Sequence, residues 1–156
     1  MPHAVVTTHI DAPAHAVFAL VADPMRMGEW SPETARTTWR GGATGAAVGA
    51  TFRGHNVAGS LKWSTDATIV ELDSPEQFAF EVKAGPIKVA RWGYEIAPDA
   101  DGAGCVVSET WVERRPAAFR VVADRVAKIT DRKAHNVAGM TETLARLKAA
   151  AEKRRV

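Results

Sequence analysis

The sequence predicts an α+β fold, a curved antiparallel sheet of seven strands closed by one long C-terminal helix, and three observations predict it. From Thr130 to Lys153, Val137, Met140, Leu144, Leu147 and Ala151 recur every three or four residues and form one apolar stripe. The opposite side carries Arg132, His135, Glu142 and Arg146, the last two at the i,i+4 spacing that supports a helix. At the helical rise such a segment is a rod of about 36 Å. Most of the preceding chain reads as strands joined by short turns, which makes neighbours antiparallel. Two short helical pieces follow the first strand. A long helix with an apolar stripe must bury it, and the sheet is the partner large enough to cover it.

Taken in order, residues 3–11 alternate as a strand, with Val6, Thr8 and Ile10 on one face and Val5, Thr7 and His9 on the other. Asp11 is the expected N-cap of a helix over about 13–22 that buries Val17, Phe18 and Val21. Asp23-Pro24 breaks it and opens a second helical piece ending near Gly28, Trp30 and Ser31-Pro32. Strands are expected near 34–40, 48–57, 61–72, 76–84, 87–97 and 104–113. Gly41-Gly42, Val57-Ala58-Gly59, Ser74-Pro75, Gly85-Pro86 and Asp99 to Gly102 punctuate them. Phe119, Val122, Val126 and Ile129 give 117–129 a helical spacing that stops at Thr130-Asp131. Residues 1–156 read as a single domain. The pentapeptide His-Asn-Val-Ala-Gly occurs at 55–59 and at 135–139, in a strand end and in a helix, with unrelated flanks. It is not a structural repeat.

Composition excludes several function classes. The chain is 46% hydrophobic and 24% charged, with a net charge of +2. That balance lacks the dense basic patch of a nucleic-acid binder. The one basic run, Lys153-Arg154-Arg155, ends the last helix and complements its dipole. A lone cysteine, Cys105, rules out an internal disulfide and any paired-thiol metal or redox site, and its strand setting reads as a buried inert thiol. The longest apolar run, 16–22, is far short of the ~20 residues of a membrane span. A cytoplasmic protein without integral membrane association, monomeric or homodimeric, is expected. No phosphate-binding glycine loop, HExxH, GxSxG or EF-hand pattern occurs, and the five histidines are scattered. No cofactor and no metal are expected.

The informative residues are aromatic. Four of five tryptophans, Trp39, Trp63, Trp92 and Trp111, fall in strands. By alternation Trp63 shares a face with Thr65, Ala67 and Ile69, Trp92 with Tyr94 and Ile96, Phe78 with Phe80 and Val82, and Trp111 with Val107 and Glu109. If these faces meet the long helix, the sheet presents an aromatic wall interrupted by Tyr94, Glu109 and, on the Phe52 face, Asn56. Few polar groups in an apolar pocket are the usual form of a small-molecule site. Ordinary core packing is the alternative for any single ring. Opposite the wall, the helix stripe turns polar through Asn136 and Lys133. Glu109 has two readings. Inward, it is a carboxyl of raised pKa that donates a proton or anchors a ligand hydroxyl; outward, after a bulge, it is a surface acid in a cross-strand pair. Arg53, His55 and Arg91 fall on the outer face.

The chain resembles the START-like, helix-grip superfamily, in particular the bacterial SRPBCC or polyketide cyclase-dehydrase group. The matching pieces run in order over 3–152: Ile10-Asp11-Ala12-Pro13 with Val17-Phe18, Asp23-Pro24, Trp30 to Glu33, Gly49, Phe52-Arg53-Gly54 with Asn56, and Trp63. Phe78-Ala79-Phe80, Trp92-Gly93-Tyr94, Gly104, Glu109-Thr110, Asn136, Gly139-Met140, Leu144 and Leu147-Lys148 complete them. The resemblance implies a seven-stranded antiparallel sheet wrapped around the C-terminal helix, with a hydrophobic cavity between them. Members bind lipids, sterols, polyketides, hormones or quinones, and some are cyclases or dehydratases. The expected partner is therefore a small hydrophobic ligand contacted by Trp30, Phe52, Asn56, Trp63, Phe80, Trp92, Tyr94, Trp111, Lys133, Asn136 and Met140. Trp30 and the 117–129 segment are the expected entrance. A cyclase or dehydratase with Glu109 or Tyr94 as acid/base is the alternative. A protein-interaction module is a third reading, disfavoured by the charged outer residues Arg53, His55, Lys62, Asp66 and Glu81.

Overall fold

The computed structural model describes residues 2–153. Seven strands, β1 (Ala4–Ile10), β2 (Thr34–Arg40), β3 (Thr51–Ala58), β4 (Leu61–Asp73), β5 (Gln77–Ala84), β6 (Ile87–Pro98) and β7 (Cys105–Glu113), form one antiparallel sheet in the order β1-β7-β6-β5-β4-β3-β2. Each of the last six pairs with its sequence neighbour, as short turns require, and β7 returns to β1. Helix α1 (Ala14–Val21) and a 3-10 segment (Pro24–Glu29) carry the chain from β1 at one edge to β2 at the other. After β7 come α2 (Ala117–Val126) and α3 (Arg132–Lys153), the long helix. Of the terminal basic run, Lys153 ends α3; Arg154 and Arg155 lie outside the described residues.

Cross-strand register sorts the inner face into rungs. One runs Ile69, Phe80, Trp92, Trp111, Ala4, and the next runs Leu72, Phe78, Tyr94, Glu109, Val6. Packed rings hold them together: Phe52 and Phe80 meet edge-on at 5.5 Å, and Trp92 and Trp111 lie 6.4 Å apart. A register shift between Ile69 and Glu71 sends Glu71 outward and returns Leu72 inward, so the parity of β4 reverses and its inner face stays apolar.

Helix α3 divides in two. Its buried residues are Met140, Thr143, Leu144, Leu147 and Ala151, none of them in its first two turns. Leu144, Leu147 and Ala151 join the main core with Val17, Phe18, Ile10 and Val107. Met140 belongs to a second cluster with Ala4, Ala90 and Trp111, flanked by Trp92, Val89 and Val137. The C-terminal half is pinned to the end of β1, where Lys148 Nζ donates to the His9 carbonyl at 2.7 Å and Glu152 accepts from the Asp11 amide at 2.8 Å.

Two local expectations are corrected. The N-cap of α1 is Pro13, without a side-chain cap, and Asp11 turns its backbone toward Glu152 instead. Strand β3 starts at Thr51 rather than 48, because Gly49 adopts φ +92° and leaves Val48 exposed in the loop. The second helical piece does start at Asp23, whose Oδ1 accepts from the Met25 amide at 3.1 Å. It lies so close to β2 that a Cβ on Gly28 would sit 2.9 Å from the Ala35 carbonyl. Only glycine permits that approach.

Candidate functional site

The polar centre of the inner face is Glu109. It comes from the middle of β7, paired with Tyr94 on β6 and Val6 on β1, so both flanking strands hold its backbone. The side chain points inward and the residue is 4% exposed. Tyr94 Oη donates to Oε1 at 3.2 Å, whereas Oε2 is buried with no hydrogen-bond partner among the described residues. Burial in this apolar wall pushes the Glu109 carboxyl from 4.5 up to about 8, against the opposing pull of the Tyr94 bond. Burial, then the carboxyl beside it, pushes the Tyr94 phenol well above its ordinary value. At neutral pH the pair is a carboxylic acid and a phenol, both able to donate.

The structure places several of the residues singled out by sequence on the same inner face, in other rungs of the sheet. Phe52, Phe80, Trp111 and Met140 are buried, and Trp92 is half-buried beside Trp111. Asn56 and Trp63 are directly paired across β3 and β4 and half-buried at the end of the sheet where α3 begins. There Asn56 Nδ2 donates to Thr65 Oγ1 at 3.2 Å and its Oδ1 accepts from Thr34. Asn136 is half-buried on α3, and Lys133 is exposed. Trp30, expected at the entrance, lies elsewhere: it is 2% exposed in the main core, with the Arg26 guanidinium 5.4 Å over its ring. Arg53, His55 and Arg91 are on the outer face, where Arg53 pairs with Asp66 at 2.8 Å and Arg91 with Glu71 at 2.8 Å.

Sequence reasoning missed a polar cluster between the end of β7, α2 and the start of α3. The Arg115 side chain, 6% exposed, bridges Glu113 at 2.7 Å and Asp124 at 2.8 Å, and Arg132 meets the same Asp124 at 2.5 Å. Burial pushes the Glu113 and Asp124 carboxyls up, but the arginine bonds outweigh it and hold both below their ordinary values. These pairs join the end of β7, α2 and the start of α3. His135 Nε2 adds a contact to Glu33 Oε1 at 2.5 Å ahead of β2. The signal in the sequence was the Glu113-Arg114-Arg115 triplet, which reads equally well as a solvated strand end.

Two pockets lie away from the inner face. One of about 520 Å³ sits on the outer face over Ala79 and Gly93, between the Arg91–Glu71 pair and Thr110. The other, about 510 Å³, follows the glycine-rich loop from Arg40 to Thr51. Neither contains a cluster of His, Cys, Asp or Glu able to hold a metal, nor do the other described residues.

A curved seven-stranded antiparallel sheet with a long C-terminal helix, and short helices after its first strand, places the protein in the START-like, helix-grip class of folds. Within that class the chain belongs to the family described as polyketide cyclase / dehydrase and lipid transport, which matches residues 1–152. A polyketide-cyclase-like protein of Corynebacterium glutamicum, solved in solution, is 30% identical, with 93% of this chain and 88% of that one covered at a TM-score of 0.62. Two more distant structures share the fold. The major latex-like protein 151 of Panax ginseng has 12% identity, 95% coverage of each chain and a TM-score of 0.70. The di-domain ARO/CYC of the steffimycin biosynthetic pathway has 13% identity and a TM-score of 0.71, covering 97% of this chain and 52% of that one. No curated protein matches the chain by sequence. Family membership supports a ligand-binding or cyclase role. No helix among the described residues is long and apolar enough to cross a membrane.

Proposed function

We propose that this protein binds a small hydrophobic ligand, a lipid, polyketide or aromatic compound, in the cytoplasm. The ligand sits between the inner face of the sheet and the N-terminal half of α3. The observation that carries this reading is the buried Glu109 oxygen without a partner, set in a wall of aromatic rings. An unpaired buried carboxyl oxygen costs about 1–3 kcal/mol, and a ligand hydroxyl or carbonyl would offset that cost. Trp63, Asn56, Trp92 and Asn136 are half-buried, and in this reading they meet the ligand first. Phe52, Phe80, Trp111 and Met140 supply apolar area deeper in. Intrinsic tryptophan fluorescence, titrated with fatty acids, sterols and aromatic polyketides, tests the reading. A saturable change with at least one class is expected, and a flat response to every class removes it.

A second reading, a cyclase or dehydratase, is favoured by one observation: burial keeps Glu109 protonated near neutral pH. Dehydration needs an acid that gives a proton to a departing hydroxyl, which leaves as water. The resulting carboxylate then takes a proton from the adjacent carbon. Tyr94 would hold the carboxyl in place. In this reading Glu109→Gln abolishes turnover of a hydroxylated polyketide while leaving its binding intact. Unchanged turnover in that variant eliminates Glu109 as the acid.

A further inference from the structure

Helix α2 buries none of its side chains. Val121, Val122 and Val126 are 60%, 64% and 64% exposed, three of the five large apolar residues left uncovered in the described chain. At roughly 100° per residue, Val121, Arg125, Ala118, Val122 and Val126 fall in that angular order on one outward arc of about 140°. The inward side holds Phe119, Ala123 and Asp124, which are partly covered, and the exposed Arg120, whose charge acts on Glu113. Asp124 is where Arg115 and Arg132 tie the helix down. A Schellman pattern, with Ile129 donating to the Asp124 carbonyl and Lys128 at φ +59°, ends the helix without extending its contact with the body. The valine face is therefore directed away from the protein.

Its surroundings are basic. Residues 113–133 contain seven arginines and lysines against three acids, although the whole chain has a net charge of only +2. Arg115 and Arg132 are committed to ion pairs, whereas Arg114, Arg120, Arg125, Lys128 and Lys133 are exposed. Of the three acids, Glu113 and Asp124 are held by arginines, and Asp131 caps α3 by accepting from the Ala134 amide. Apolar side chains on a short helix ringed by exposed cations match an interface of apolar interior and negative surface. A second copy of the chain is a poor fit, because two such faces would bring like charges together around the valines.

We propose that α2 docks peripherally on an anionic lipid bilayer, its valines entering the headgroup boundary and its basic ring meeting the lipid charges. The docked helix is tied through Asp124 to Arg132 at the start of α3. The proposal is independent of ligand binding, since vesicle binding needs no ligand in the interior. Co-sedimentation of the full chain with vesicles of phosphatidylcholine alone, and of phosphatidylcholine mixed with phosphatidylglycerol, tests it. The chain should sediment with the mixed vesicles, weakly or not at all with the neutral ones, and less as salt is raised.

The doubly substituted R125Q/K128Q chain should bind about twenty-five-fold more weakly, about fivefold per lost charge. V122S/V126S, which leaves every charge in place, should lose at least about tenfold. No sedimentation with mixed vesicles at low salt overturns the proposal, as does equal binding to both compositions. So does wild-type binding by both variants. A dimer in solution that V122S/V126S dissolves assigns the face to a second copy and overturns it as well.

Discussion

Tyr94 and Glu109 face each other across β6 and β7 at directly paired positions, and the phenol donates to one carboxyl oxygen at 3.2 Å. The consequence is a buried acid whose titration is coupled to folding. Because its folded pKa, about 8, lies above the 4.5 of an unhindered carboxyl, unfolding between those values releases a proton. Its contribution to stability is complete below about 4.5 and is lost as pH rises through about 8. Unfolding free energies of wild type and Glu109→Gln, compared across this window, should diverge by up to about 1.4 kcal/mol per pH unit, with the glutamine variant gaining as pH rises.

Tyr94→Phe removes the one group that lowers the Glu109 pKa. The carboxyl should then titrate above its wild-type value, and stability should fall by about 1 kcal/mol for the lost bond. The carboxyl carbon signal of Glu109, followed by NMR through alkaline pH, reads the shift directly. A downward shift would mean that the phenol does not donate to it.

The fold was legible because it rests on periodicity. The β1 alternation, the α3 stripe and the turn residues each encode local geometry, and their order leaves one compact arrangement. Six strand assignments fall within one or two residues of those observed, and the late start of β3 came from a glycine conformation that patterning does not carry. The site was legible only in part. Parity put Glu109 on the Trp111 face, but a single bulge would have reversed it, and the choice awaited the observed register. Trp30 reads like the other tryptophans in sequence; its burial depends on how the 3-10 segment packs, which is long-range information. The covered Asp124 and the uncovered Val122 and Val126 of α2 were equally invisible, since spacing shows that a stripe exists and not what covers it.

Arg115→Met should leave Glu113 and Asp124 without their shared guanidinium. Glu113 is 9% exposed at its side chain, so a buried charge loses its partner at a cost of about 3–5 kcal/mol. Amide hydrogen exchange should accelerate first over 117–126, because the ion pairs anchor that helix in place of burial. Uniform acceleration across the sheet would contradict an anchoring role local to α2.

The two halves of α3 should respond differently to truncation. Leu147→Ala empties a fully buried site and should cost about 2–5 kcal/mol. Asn136→Ala, at a half-buried position of the first turns, should cost under about 1 kcal/mol and weaken ligand binding instead. Chemical denaturation of both variants, paired with the fluorescence titration, separates the effects.

The central claim is that ligand enters between the aromatic wall and the first half of α3. The five indole N–H signals, assigned and followed by two-dimensional NMR as a fatty acid, a sterol and an aromatic polyketide are added in turn, test it most directly. With at least one probe, Trp63, Trp92 and Trp111 should shift saturably and together while the core Trp30 stays fixed. If none of those three moves with any probe, or if Trp30 alone responds, the claim is contradicted.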